Sequence, residues 1–233
     1  NIPEIAEIIQ KYKKNNFPVF HTDACQAAGV LYINVQNLGV DLMTINAGKI
    51  YGPKGVGALY IKKGIKINPQ MVGGGQEYRL RAGTENVPGI VGFAEALKLA
   101  QQEKEIECAR LKKLRDMLIK NIEEKIPGSR LNGHRTERLP NNANFSFEGI
   151  EGETILLRLD MEGICASSGS ACTSGTVDPS HVLMAIGVPY ETAHGSVRFT
   201  IGKNTTEEDI FYVVESLKQI IHEMRQSSPL FTK

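Results

Sequence analysis

Apolar residues recur at helical spacing through Ile2, Ile5, Ala6 and Ile9, so residues 2–13 are predicted to form an amphipathic helix. Residues 18–23, Pro-Val-Phe-His-Thr-Asp, then read as a short buried strand. Alternation over 30–35 and apolar runs at 40–45 and 56–61 give three more strand candidates, punctuated by glycine and proline. Strands alternating with helices in this way predict an open α/β sheet.

From Gly89 the pattern changes to a long, heavily charged helical stretch that ends near Lys125 and is closed by Pro127-Gly128. This divides the chain into a larger region at 1–95, a connecting helix at 96–126 and a smaller region at 127–233. The smaller region offers a strand at 142–147, a helix at 151–161, a strand near Ile164 and a Ser/Gly-rich loop at 166–178. A helix from Pro179, a strand at 196–201 and a helix from Thr205 to about Arg225 complete it, a pattern that predicts an α+β unit. Thr205-Thr-Glu-Glu208 has the capping-box form that starts a helix.

Composition narrows the partners. Lys+Arg 27 against Asp+Glu 26 leaves a formal charge of +1, so no global field draws nucleic acid or an anionic membrane surface. Apolar runs such as 55–60 fall far short of the roughly 18 to 20 residues a membrane span needs. Residues 1–10 carry no basic segment leading into an apolar stretch. The expectation is a cytoplasmic protein, or one of an organellar matrix if a targeting segment has been cropped.

Cys25, Cys108, Cys165 and Cys172 are too few for a disulfide-stapled fold in 233 residues. The first three have apolar or helical neighbours and read as buried structural thiols. Cys172 differs, lying in Ala-Ser-Ser-Gly-Ser-Ala-Cys-Thr-Ser-Gly-Thr-Val-Asp178, a small-residue segment expected to form an exposed loop. A zinc site from Cys165, Cys172 and His181 would lack the short paired intervals of zinc motifs. His181 and His194 read as packing groups on a helix face and at a strand end.

Three stretches carry candidate cofactor chemistry: residues 21–26 (His-Thr-Asp-Ala-Cys-Gln), 46–55 (Asn-Ala-Gly-Lys-Ile-Tyr-Gly-Pro-Lys-Gly) and 73–84, which ends Arg-Ala-Gly-Thr. A carboxylate at a strand's C-terminal end can keep a pyridine nitrogen protonated, which makes pyridoxal phosphate an electron sink. A lysine held among glycines and apolar groups favours the neutral amine that Schiff-base formation requires. Lys49 precedes a turn-rich segment that would bring backbone close to whatever its amine holds.

Those stretches, Arg-Ala-Gly-Thr-Glu-Asn after Gly-Gly-Gly-Gln-Glu, and Ser167-Ser-Gly-Ser-Ala-Cys-Thr-Ser174 together resemble the NifS/IscS-type cysteine desulfurases of the class V aminotransferase superfamily. The resemblance covers essentially the whole chain and implies the C-terminal part of a pyridoxal-phosphate-dependent transferase large domain, with a mainly parallel sheet and helices, plus a small α+β C-terminal domain. By position it implies Asp23 on the pyridine nitrogen, Gln26 on the cofactor's phenolic oxygen and Lys49 as the Schiff-base lysine. It further implies Thr84 on the phosphate held by the neighbouring subunit of a homodimer, and Arg198 on the carboxylate of L-cysteine. Cys172 would carry the persulfide, with an iron-sulfur scaffold or other sulfur-acceptor protein as partner. Arg suits the carboxylate role because its planar fork binds bidentately.

The chain departs from the family pattern at Asn46 and Gly48, where Ser and His usually contact the cofactor phosphate, and at Tyr78-Arg79, where Arg-Gly is usual. The region that normally supplies a phosphate-cradling loop, a ring-stacking histidine and a further asparagine lies outside residues 1–233. Selenocysteine lyase or another class V lyase is the nearest alternative, and a non-catalytic module that keeps the dimer and scaffold surfaces is the alternative of a different kind.

Overall fold

The computed structural model describes residues 1–168 and 178–227 and resolves into two compact units, Asn1–Glu105 and Ile106–Lys233, each taken by itself below. Among the described residues no helix is long and apolar enough to cross a membrane.

In the first unit, α1 (Ile2–Tyr12) has a proline in its first turn, where the missing N–H costs nothing. Strands β1 (His21–Asp23), β2 (Leu42–Asn46) and β3 (Gly57–Ile61) follow in that spatial order. β1 and β2 pair in parallel, whereas β2 and β3 are antiparallel, so the sheet is mixed rather than mainly parallel. The direction of β3 has a simple cause. The chain returns between Ala47 and Val56 without a crossover helix, and so short a link cannot bring a strand back parallel.

Burial alternates along β2, putting Met43 and Ile45 into a core with Val40, Ala47, Ile50 and Phe93. Thr44 and Asn46 therefore face the other side of the sheet. Residues 30–35 are not a strand. Asn34 Oδ1 accepts from the N–H groups of Gln36 and Asn37 and starts the one-turn helix α2 (Val35–Leu38) instead. Asp41, 1% exposed, is bonded by Lys13 Nζ and by Phe20 N–H at 2.9 Å, with Lys62 Nζ 3.7 Å away.

α3 (Val87–Lys125) is 39 residues long, and its residues from 106 onward belong to the second unit. There Leu111, Leu114, Leu118, Ile122 and Ile126 form a buried stripe at three- and four-residue intervals. The sheet β4 (Ser129–Leu131), β5 (Asn142–Phe147) and β6 (Ser196–Thr200) is antiparallel throughout, in the order β4-β5-β6. Its core face carries Ala143, Phe145, Phe147, Val197 and Phe199, all 5% exposed or less. Burying one phenylalanine of this kind stabilises the unit by about 1.5–3 kcal/mol.

α4 (Gly152–Met161) and α7 (Glu207–Ser227) lie in the same unit. The strand expected near Ile164 is absent, and only an isolated bridge from Ser167 to Arg198 forms there. The helix expected from Pro179 divides into α5 (His181–Ala185) and α6 (Tyr190–His194), separated by Gly187 at φ 80° and by Pro189. The capping box of α7 sits one residue later than the sequence suggested: Thr206 and Asp209 exchange side-chain-to-backbone bonds at 2.8 and 3.2 Å.

Candidate functional site

The described residues singled out by sequence fall in both units. In the first unit Asp23 ends β1 and stands opposite Thr44 of the parallel β2. Its Oδ1 accepts the Cys25 N–H at 2.9 Å, and hydrogen bonds from Cys25 hold the carboxyl below its ordinary range, with His21 adding to the effect. His21 Nε2 bonds Thr44 Oγ1 at 2.9 Å, fixing the edge of the same surface.

Lys49 closes a 3-10 turn, Ala47–Lys49, that follows β2 directly. Asn46 caps this turn, its Oδ1 accepting the Lys49 N–H at 3.0 Å. The Lys49 side chain is exposed and makes no hydrogen bond or ion pair among the described residues. The apolar enclosure expected around it is thus not supplied by these residues.

The turn after β1 packs on the turn that carries Lys49. A Cβ at Gly29 would lie 3.1 Å from Ile50 Cγ2 and 3.8 Å from the Lys49 carbonyl oxygen. Likewise a Cβ at Gly52 would come within 2.9 Å of the Ala47 Cβ, so the Tyr-Gly-Pro-Lys-Gly return needs its glycine there.

Cys25 lies between the two charged residues. Its thiol donates to the Thr44 carbonyl at 3.8 Å. Burial and the neighbouring Asp23 push it up to about 11, opposed by the Asn46 amide and the charge of Lys49. Cys25 is accordingly an interstrand contact rather than a reactive thiol. Gln26, in the turn after β1, and Thr84, ahead of α3, are both exposed.

In the second unit Arg198 lies at the middle of β6, paired across the sheet with Asn144. Its Nε is buried and has no partner among the described residues. Its backbone N–H and C=O are both taken by Ser167, at 2.6 and 3.1 Å. Asn144 in turn accepts from Asn132 Nδ2 at 2.7 Å, an amide that also bonds Ser146 Oγ at 2.8 Å. Sequence reading passed over Asn132 and Asn144. The only signal for Asn144 was polarity alternating with Ala143 and Phe145.

Cys165 is exposed and not the buried thiol expected. With His194, Asp178, Ser180, Glu153 and Asp160 it lines a cavity of about 390 Å³. His181 is exposed at the start of α5, so it does not pack as expected, and His194 is half-buried. Cys172 lies outside the described residues.

The family model for class-V aminotransferases matches residues 1–213. Among curated proteins, the chain is 54% identical over 228 residues to the cysteine desulfurase IscS of Dictyoglomus turgidum, covering 98% of this chain and 57% of that protein. The cysteine desulfurase IscS of Methanosarcina thermophila is 51% identical over 232 residues, covering 100% and 56%. A NifS-like protein from Rickettsia africae superposes with a TM-score of 0.85 at 33% identity, over 95% of this chain and 57% of that one. A second NifS-like protein gives 0.84 at 35% identity, over 95% and 57%. The chain therefore spans little more than half the length of the curated relatives it matches.

Proposed function

The chain belongs to the class-V aminotransferase family, and from that premise we propose that it works as a pyridoxal-phosphate-dependent cysteine desulfurase. The reaction takes sulfur from L-cysteine, gives L-alanine and leaves a persulfide on Cys172 for iron-sulfur cluster assembly or another sulfur acceptor. The observation that carries this reading is local: Asp23 and the Lys49 turn follow the C-terminal ends of adjacent parallel strands, with their turns packed together. Identity of 54% to a cysteine desulfurase supports it from the sequence side.

The residues present fit the cofactor. Asp23 is an anion, because Cys25 lowers its pKa, and Cys25 is the group that bonds it, which leaves acceptor capacity for a protonated ring nitrogen. Lys49 offers an amine that no carboxylate engages among the described residues. Gln26, in the turn after β1, would meet the phenolic oxygen, and Thr84 would reach the phosphate held by the other subunit of a homodimer. When bound, pyridoxal phosphate supplies the electron sink that makes the substrate's α-proton acidic.

Each protein group then has a defined task. Lys49 would hold the cofactor through its amine, and the same amine, when free, would move the substrate's α-proton. Arg198 holds the substrate carboxylate through its guanidinium, whose planar fork matches the two carboxylate oxygens. The Cys172 thiolate attacks the substrate sulfur; a sulfur–sulfur bond forms, the carbon–sulfur bond breaks, and its electron pair stays with the carbon that becomes the alanine methyl after protonation.

Alanine release from L-cysteine in the presence of a thiol reductant tests the assignment on the full-length protein. Lys49→Ala and Cys172→Ala are both expected to abolish turnover. Undiminished turnover in either variant overturns the role given to that residue.

A further inference from the structure

The polar face of the second unit's sheet contains a row that runs across its strands. Asn132 lies one residue beyond β4, and its N–H donates to the Asn144 carbonyl at 2.8 Å, which sets the two residues side by side. Asn144 is in turn directly opposite Arg198. Side by side, then, stand Asn132, Asn144, Arg198 and, beyond the edge of β6, Ser167.

The pattern of backbone bonds determines how close the Asn144 and Arg198 side chains come. Arg198 uses both its N–H and its C=O on Ser167, and the Asn144 carbonyl is used on Asn132. The Asn144–Arg198 pair is therefore of the non-hydrogen-bonded kind, in which opposed Cα atoms approach to about 4.5 Å and side chains sit closest. Asn144 cannot turn freely at that distance. Its Oδ1 is held by Asn132 Nδ2 at 2.7 Å, and Asn132 is itself 4% exposed and anchored a second time on Ser146 Oγ.

Burying an amide costs free energy that a well-packed apolar side chain would not. The opposite face of the same strand is built from Ala143, Phe145 and Phe147, so apolar residues fit this sheet. The polar row instead lies beside an arginine whose Nε is buried and lacks a partner among the described residues. We propose that Asn144, locked by Asn132, is a positioning residue that fixes the Arg198 side chain for the carboxylate of the amino-acid substrate. The inference rests on the reading of Arg198 as the carboxylate-binding residue and names what orients it.

A double-mutant cycle on the full-length protein with its cofactor tests this, reading both KM for L-cysteine and the dissociation constant of L-alanine, the expected product. Arg198→Ala is expected to raise both; unchanged values overturn the reading of Arg198 itself. Asn144→Ala is expected to raise both about tenfold with kcat little changed, because the arginine beside it loses its fixed orientation. In the Arg198→Ala background the same substitution is expected to add nothing further, because its effect passes through the arginine. An Asn144→Ala effect of equal size in both backgrounds, or none in the wild-type background while Arg198→Ala is defective, overturns the positioning role. Should Asn144→Ala fail to fold, Asn144→Ser carries the same comparison with the same two outcomes.

Discussion

Arg198 and Ser167 exchange both backbone hydrogen bonds, at 2.6 and 3.1 Å, so the strand residue expected to hold the substrate carboxylate is tied to Ser167 of the segment Ser167–Ser174 that carries Cys172. Ser167→Pro removes the N–H that bonds the Arg198 carbonyl. Urea unfolding is expected to show a loss of about 0.5–1.5 kcal/mol, one net hydrogen bond, together with a raised KM for L-cysteine. An unchanged KM would detach the bridge from substrate binding.

Asn46 caps the turn on which Lys49 sits. Asn46→Ala is expected to cost about 1 kcal/mol and to reduce cofactor occupancy, while Asn46→Asp and Asn46→Ser, which keep a capping oxygen, lose less. Cofactor content by absorbance across the three variants checks the order. Equal occupancy in all three would mean that the cap does not serve Lys49.

Asp41 ties α1 and β1 to β2, and its acidity gives a pH signature. Burial opposes its ionisation, but the Lys13 ammonium, the Phe20 N–H and the charge of Lys62 outweigh that, and the folded pKa lies below the ordinary 3.8. A depressed folded pKa means that the contribution is fully present above pH 3.8 and is lost as the pH falls through the folded value. Asp41→Asn leaves the 9%-exposed Lys13 without its carboxylate and is expected to cost roughly 3–5 kcal/mol near neutral pH. The gap between wild type and variant in urea midpoint should close below pH 3.8. A gap independent of pH would contradict the ion pair.

The thiols should separate by reactivity. Cys25, pushed up to about 11, is expected to resist iodoacetamide at pH 8, whereas exposed Cys165 is expected to label readily. Peptide mapping of partially alkylated protein reads the order. Labelling of Cys25 ahead of Cys165 would contradict its placement between Asp23 and Lys49.

Legibility in the sequence followed length and period. Ala143, Phe145 and Phe147 alternate over a full strand, and the predicted 142–147 coincides with β5. β4 is only Ser129–Leu131, too short to display a period at all. Residues 30–35 alternate as a strand would, yet the side chain of Asn34 captures two backbone N–H groups and turns the chain into α2. The direction of β3 follows from the shortness of the Ala47–Val56 return, which leaves no room for a crossover helix, so it was open to a reading of link length that the general strand–helix pattern overrode. Among the candidate residues, Asp23 and Lys49 stand out from their motifs. Asn144 does not, because its significance depends on Asn132 and Arg198 lying on either side of it, 12 residues before and 54 after in sequence.

The role of Lys49 is tested by incubating the full-length protein with pyridoxal phosphate, reducing it with borohydride and mapping the modified peptide by mass spectrometry. A single pyridoxyl group on Lys49 is expected. An adduct on another lysine such as Lys54, or none at all, would contradict it.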